Sequence, residues 1–155
     1  MGREEVLQQL EAGTFNWEDS SYTLALYCPE KLDPEKYNWG RDSWAVAEYC
    51  PGKLDPEKYN WKGDSNEVAQ YCPAKLDPER YNWERDSWYV AKYCPEKLDP
   101  EYYNWVRSSW AIVRYCPEQF LDIECLNNNI LSLSVIVSEG KGFDVWMIPK
   151  FIMEV

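Results

Sequence analysis

A mainly α-helical fold is expected here, a short-unit α-solenoid of about five 22-residue helix-turn-helix repeats with an N-terminal capping helix and a C-terminal β-hairpin, and three observations predict it. The first is a recurring phrase. Tyr-Cys-Pro stands at Tyr27, Tyr49, Tyr71, Tyr93 and Tyr115, each copy 22 residues after the last (49 − 27 = 22, and so on). A fixed period of roughly 20 to 50 residues marks an array in which each unit is completed by its neighbours. The second is punctuation: Pro follows every repeated Cys and disfavours helical geometry in the residue before it, while Asp-Pro follows a few residues later as a restart. The third is a change of period beyond Asn127-Asn128-Asn129, where apolar residues alternate.

The chain accordingly divides into residues 1–14, a capping helix, 15–126, the repeat array, and 127–155, the β appendage. Arg3 to Glu11 carries strong helix formers with an apolar stripe at Val6, Leu7 and Leu10, and Gly13 suits a left-handed cap. An array needs such an end to cover its first stacking face. In the first, partial unit, Tyr22 and Leu26 stand where Trp44 and Glu48 stand in the second, which fits a surface covered by that helix.

Within a full unit, Asp42-Ser43 reads as a helix start with Asp42 as cap, and Ser20, Asp64, Asp86 and Ser108 hold the same place. Trp44, Ala47 and Cys50 recur at i, i+3 and i+6 with Val46 beside them, an apolar face ended by Pro51 after about two turns. Asp55-Pro56-Glu57 then starts a second short helix, with Leu54 and Tyr59 packing inward beside Trp61. After Cys116, Gln119 to Leu126 is one last divergent helix. Leu131, Leu133, Val135 and Val137, then Phe143, Val145 and Met147, form the hairpin, and Phe151 to Val155 a possible third strand. A lone hairpin is barely stable in water, so it lies on the last repeat or pairs with a second chain as a homodimer.

Cysteine spacing excludes the usual cross-links. Cys28, Cys50, Cys72, Cys94 and Cys116 share one repeat position; neighbouring helices lie about 8–10 Å apart, whereas a disulfide needs Cα atoms within roughly 7 Å. They are expected as buried free thiols, with Cys125 outside the set. Without His or paired Cys-x-x-Cys ligands, neither a metal site nor a cofactor is expected. No Gly-rich phosphate loop or nucleophile elbow is present, so no catalytic residue is assigned and an enzyme is not expected. No apolar run approaches the ~20 residues that span a bilayer and no signal-peptide core follows Met1, so a cytoplasmic protein without membrane contact is expected.

Sixteen basic against 27 acidic residues leave a net charge of −11, which opposes direct nucleic-acid binding and favours a partner with a basic surface. Asp33-Pro34-Glu35, Asp55-Pro56-Glu57, Asp77-Pro78-Glu79 and Asp99-Pro100-Glu101 form a possible acidic ridge, although turn capping explains each pair equally well. Positions where the copies differ are candidate contacts: Glu48, Gln70, Lys92 and Arg114; Lys62 and Glu84, with Gly40 and Val106; and Tyr102, with Lys58 and Arg80. Drift on a solvated face gives the same pattern. Asn66 replaces the Trp of the other units and Gly63 their Arg, which at a core position leaves a dent, a bend or a pocket.

Asp42-Ser43-Trp44-Ala45-Val46-Ala47, Tyr49-Cys50-Pro51 and Leu54-Asp55-Pro56 resemble short helical repeats of bacterial and phage proteins, over residues 15 to 118. That resemblance carries no assigned activity. Together these readings point to a non-enzymatic protein-binding repeat protein, in its most concrete form an acidic, phage-encoded anti-defence inhibitor of a host nucleic-acid-binding protein. The alternative is a scaffold that assembles through the hairpin.

Overall fold

The computed structural model describes residues 1–117. The expected last helix, Cys125, the β-hairpin and the 126/127 boundary lie outside the described residues. Within the described residues the elements are α1 (Arg3–Glu11), α2 (Trp17–Ser20), α3 (Tyr22–Tyr27), α4 (Trp39–Tyr49), α5 (Trp61–Tyr71), α6 (Trp83–Tyr93) and α7 (Trp105–Tyr115). Short 3-10 turns follow at Pro29–Lys31, Pro51–Lys53, Pro73–Lys75 and Pro95–Lys97. Two compact units are present, one of Met1–Asn82 and one beginning at Trp83. In the first, α1 packs on α3, α3 on α4 and α4 on α5; in the second, α6 packs on α7.

The N-terminal helix forms as its sequence predicts. Gly13 has φ of 69°, the left-handed geometry that glycine adopts without strain. There the Gly13 and Thr14 amides donate to the Leu10 and Gln9 carbonyls at 3.2 and 2.9 Å, closing the helix end. Val6 joins Phe15, Leu24 and Cys28 in a buried cluster, and Arg3 donates to the Tyr27 carbonyl and pairs with Glu30 at 2.7 Å. The α3 residue in the buried cluster with Val6 is Leu24; Tyr22 and Leu26, expected to lie under this helix, remain 38% and 37% exposed.

Helix caps fall four residues earlier than Asp42, Asp64 and Ser108 suggest. The caps are asparagines: Asn38, Asn60 and Asn104 accept through Oδ1 from the amides of Arg41, Gly63 and Arg107 at 3.3, 3.0 and 3.1 Å. Each of these helices therefore runs for 11 residues, three turns instead of two. Asp42 is buried and serves a different helix. It accepts from Ser21 Oγ at 2.6 Å and from the Tyr22 amide at 3.1 Å, capping α3 from the following repeat. Ser43 repeats the move by donating to Asp64, and Ser87 Oγ reaches Ser108 Oγ at 3.0 Å.

The expected second helix of each unit is a turn. Asp33, Asp55, Asp77 and Asp99 each accept from the amide two residues on, at 3.0 to 3.1 Å. This local bond competes with helix propagation, and the chain reverses toward the next Asn cap. Leu54, Tyr59 and Trp61 pack inward as expected. Their polar ends are satisfied locally: Tyr59 hydroxyl donates to the Asp64 carbonyl at 2.8 Å and Trp61 Nε1 to the Pro56 carbonyl at 2.9 Å. Tyr37 and Trp39 make the same pair of bonds, with the Asp42 and Pro34 carbonyls.

Asparagine also joins successive repeats. Within the first unit, Asn38, Asn60 and Asn82 donate through Nδ2 to the carbonyls of Glu18, Gly40 and Lys62 at 2.9, 2.9 and 3.1 Å. Within the second, Asn104 donates to Glu84 at 3.0 Å. The five repeated cysteines are buried free thiols. Burial pushes the thiols of Cys50 and Cys72 up to about 11 and that of Cys94 up to about 12, so they act as small neutral hydrophobes.

Candidate protein-binding surface

A helix turns about 100° per residue, so residues two apart face nearly opposite ways. Val46 lies in the core with no exposure, which turns Trp44 and Glu48 outward. Trp44 is therefore not a core residue. The spacing i, i+3, i+6 advances about 300° at each step and drifts by about 60°, carrying Trp44 away from the face that buries Cys50. The fully packed indoles belong instead to Trp39, Trp61 and Trp83 at the helix starts.

What results is an aromatic surface on each unit. In the first, the rings of Tyr22 and Trp44 stack with centroids 6.4 Å apart, and Tyr49 stands edge-on to Trp44 at 6.3 Å. Tyr49 and Tyr71 are 43% and 42% exposed. In the second, Trp88 and Trp110 lie 6.0 Å apart, Trp110 meets Tyr115 at 6.2 Å, and Tyr89 stacks on Tyr93 at 6.0 Å. The i, i+3, i+6 spacing points these tryptophans to the core and gives no signal for the tyrosines of Tyr-Cys-Pro; a helical projection anchored on the alanines and Val46 carries it.

The candidate contact residues sort into three places. Glu48, Asn66 and Gln70 in the first unit, and Lys92 and Arg114 in the second, lie on the helices that bear the aromatic surface. Glu48 lies one turn after Trp44 on α4, and its carboxylate beside Tyr49 holds that phenol above its ordinary range. Asn66 is partly buried, and its amide donates to Glu67 Oε1 at 2.7 Å; it takes a ring out of an outward row, not out of a core. Lys92 Nζ sits 5.8 Å from the Trp88 centroid, 4.6 Å from that of Tyr93 and 5.7 Å from that of Tyr115. Its closeness to Tyr93 raises the Lys92 ammonium above its usual range. Arg114 lies 5.5 Å over Tyr115.

Lys62, Gly63 and Glu84 instead lie in the first turns of α5 and α6. Lys62 and Glu84 contribute their main-chain carbonyls to the Asn82 and Asn104 bonds, leaving exposed side chains unconstrained. A Cβ at Gly63 would strike the amide of Asn60, and α5 kinks at Asp64 (φ −125°, ψ 15°). Tyr102 lies on the turn before α7 and stacks on Trp83 at 6.1 Å.

The acidic pairs are spread along the turns. Their aspartates hold those turns, Glu35 pairs with Lys58, and Glu57 pairs with Arg80. Glu79 and Glu101 are exposed. Among the described residues, no group of three or more His, Cys, Asp or Glu side chains is placed to hold a metal, and no helix is long and apolar enough to cross a membrane. Neither a protein-family model, a curated protein nor a solved structure matches this chain. The aromatic surfaces can bury apolar area against a partner, and their ring faces attract cations.

Proposed function

We propose that this chain is a non-enzymatic protein-binding repeat protein whose partner has a basic surface. The observation that carries the reading is the outward set of Trp and Tyr rings at matching positions in successive repeats. Tryptophan and tyrosine dominate the energetics of protein interfaces. A net charge of −11 steers encounters toward basic partners and repels nucleic-acid phosphates. In its most specific form, the chain is a phage-encoded inhibitor that occupies the nucleic-acid groove of a host defence enzyme.

Immobilised protein and bacterial lysate, with mass-spectrometric identification of what is retained, test this reading. A nucleic-acid-binding protein held at low salt and released at high salt is the expected result, since screening weakens such attraction. Recovery of no such protein, or retention indifferent to salt, overturns it.

A further inference from the structure

We infer that Trp44, Tyr49, Tyr22 and Glu48 form a receptor for a single lysine side chain of a basic protein segment. This rests on the binding reading above and names the place where the partner's cation docks. The chain carries two copies of one arrangement. Trp88, Lys92 and Tyr93 occupy the same repeat positions as Trp44, Glu48 and Tyr49, two 22-residue periods earlier (88 − 44, 92 − 48 and 93 − 49 all equal 44).

In the second unit, the protein's own ammonium fills the aromatic surface. Lys92 Nζ lies 5.8 Å from the centroid of Trp88 and 4.6 Å from that of Tyr93, inside the roughly 6 Å reach of a cation–π contact. The Lys92 position in the first unit belongs to Glu48. There the rings form an open corner, Trp44 and Tyr49 meeting at 69°, with Tyr22 stacked on Trp44 as an extension of one wall. No cation of the described residues lies over Trp44 or Tyr49.

Glu48 changes what that corner attracts. It lies one helical turn after Trp44 and next to Tyr49 on α4, so a negative charge stands beside rings whose faces are themselves electron-rich. Such a corner favours an ammonium that can lie on a ring and pair with the carboxylate together. Arginine is the close competitor. Both cations stand at the equivalent position in the second unit, but Arg114 lies over Tyr115 alone, whereas Lys92 lies over both the Trp and the Tyr of its repeat, and on that ground lysine is preferred.

Reciprocal exchange of the two positions tests the assignment, using fluorescence anisotropy of a labelled oligolysine peptide at low salt against the full chain. Glu48→Lys installs the second unit's own solution in the first, and about tenfold weaker binding is expected. Glu11→Lys, at the exposed end of α1, makes the same charge change elsewhere and is expected to weaken binding no more than about twofold. Trp44→Asn, the residue the chain itself carries at Asn66, is expected to weaken binding about tenfold with an unchanged circular dichroism spectrum. Lys92→Glu removes the internal cation and is expected to tighten binding.

Equal weakening by Glu48→Lys and Glu11→Lys overturns the receptor while leaving the basic-partner reading intact, because net charge alone then accounts for the affinity. Lys92→Glu binding no tighter than the parent counts against it too. Should Trp44→Asn lose its fold, the Glu48→Lys comparison still decides, since a lysine is already accommodated at this repeat position. Oligolysine ignored by the parent chain overturns both readings.

Discussion

Asn60 shows how much of this fold hangs on single side chains. Its Oδ1 caps α5 by accepting from the Gly63 amide at 3.0 Å, and its Nδ2 reaches back to the Gly40 carbonyl at 2.9 Å. A helix cap is worth about 1 kcal/mol, and a hydrogen bond of this kind contributes about 1 kcal/mol. Asn60→Ala is therefore expected to lower stability by about 2 kcal/mol in urea unfolding. Asn60→Asp keeps the acceptor and loses the donor, and about half that loss is expected; an aspartate as damaging as alanine would mean that the cap contributes little. The Asn stands openly in Tyr-Asn-Trp, yet its role is not legible in the sequence, because its second partner lies 20 residues back. The role of Asp42 is hidden in the sequence for the same reason. Its ligands, Ser21 and Tyr22, belong to the preceding repeat, and a sequence window centred on Asp42 offers only its own helix.

At the scale of elements, the α-helix in each repeat, its stop at Cys-Pro and the Gly13 end of α1 were all legible, because each depends on residues close in sequence. The turn at Asp-Pro-Glu was not. Asp as cap, Pro at the first helical position and Glu after it fit a helix start, but the Asp side chain satisfies the second following amide and the chain then turns away after one turn. Facing was lost as well, since a spacing of three resembles a helical stripe over one step and departs from it over two. The 11-residue helices α4 to α7 are below the ~12 residues at which an isolated helix becomes even marginal. A peptide of residues 39–60 is accordingly expected to give a coil spectrum by circular dichroism, while the same segment is helical from Trp39 to Tyr49 within the chain. Appreciable helix in the peptide would show that local propensity, not packing between repeats, holds the element.

For the whole molecule, the helical repeat and the acidic balance were legible, and the aromatic surfaces that define the candidate site were not, since they depend on which way each helix is rolled. The repeated thiols give the protein a collective response to alkali. Burial pushes Cys50 and Cys72 up to about 11 and Cys94 up to about 12, and burial also raises the phenols of Tyr37, Tyr59 and Tyr103. An unfolded thiol ionises near ~8.5, so the folded state favours the neutral form. The stabilisation is fully present below that value and is lost as pH rises toward the folded values. A melting temperature unaffected by these groups up to about pH 8 and falling steeply from about pH 9 to 11 is expected; a flat profile to pH 11 would contradict the burial of the thiols. The seam between repeats has a different kind of consequence. Each asparagine bond ends on a main-chain carbonyl, at Glu18, Gly40, Lys62 or Glu84, and every residue type supplies one. Tandem duplication of a 22-residue coding segment thus delivers donor and acceptor together whatever side chain stands at the acceptor. Array length is open to change by simple gene copying, and the acceptor's side chain is left for selection to spend on something other than holding the protein together.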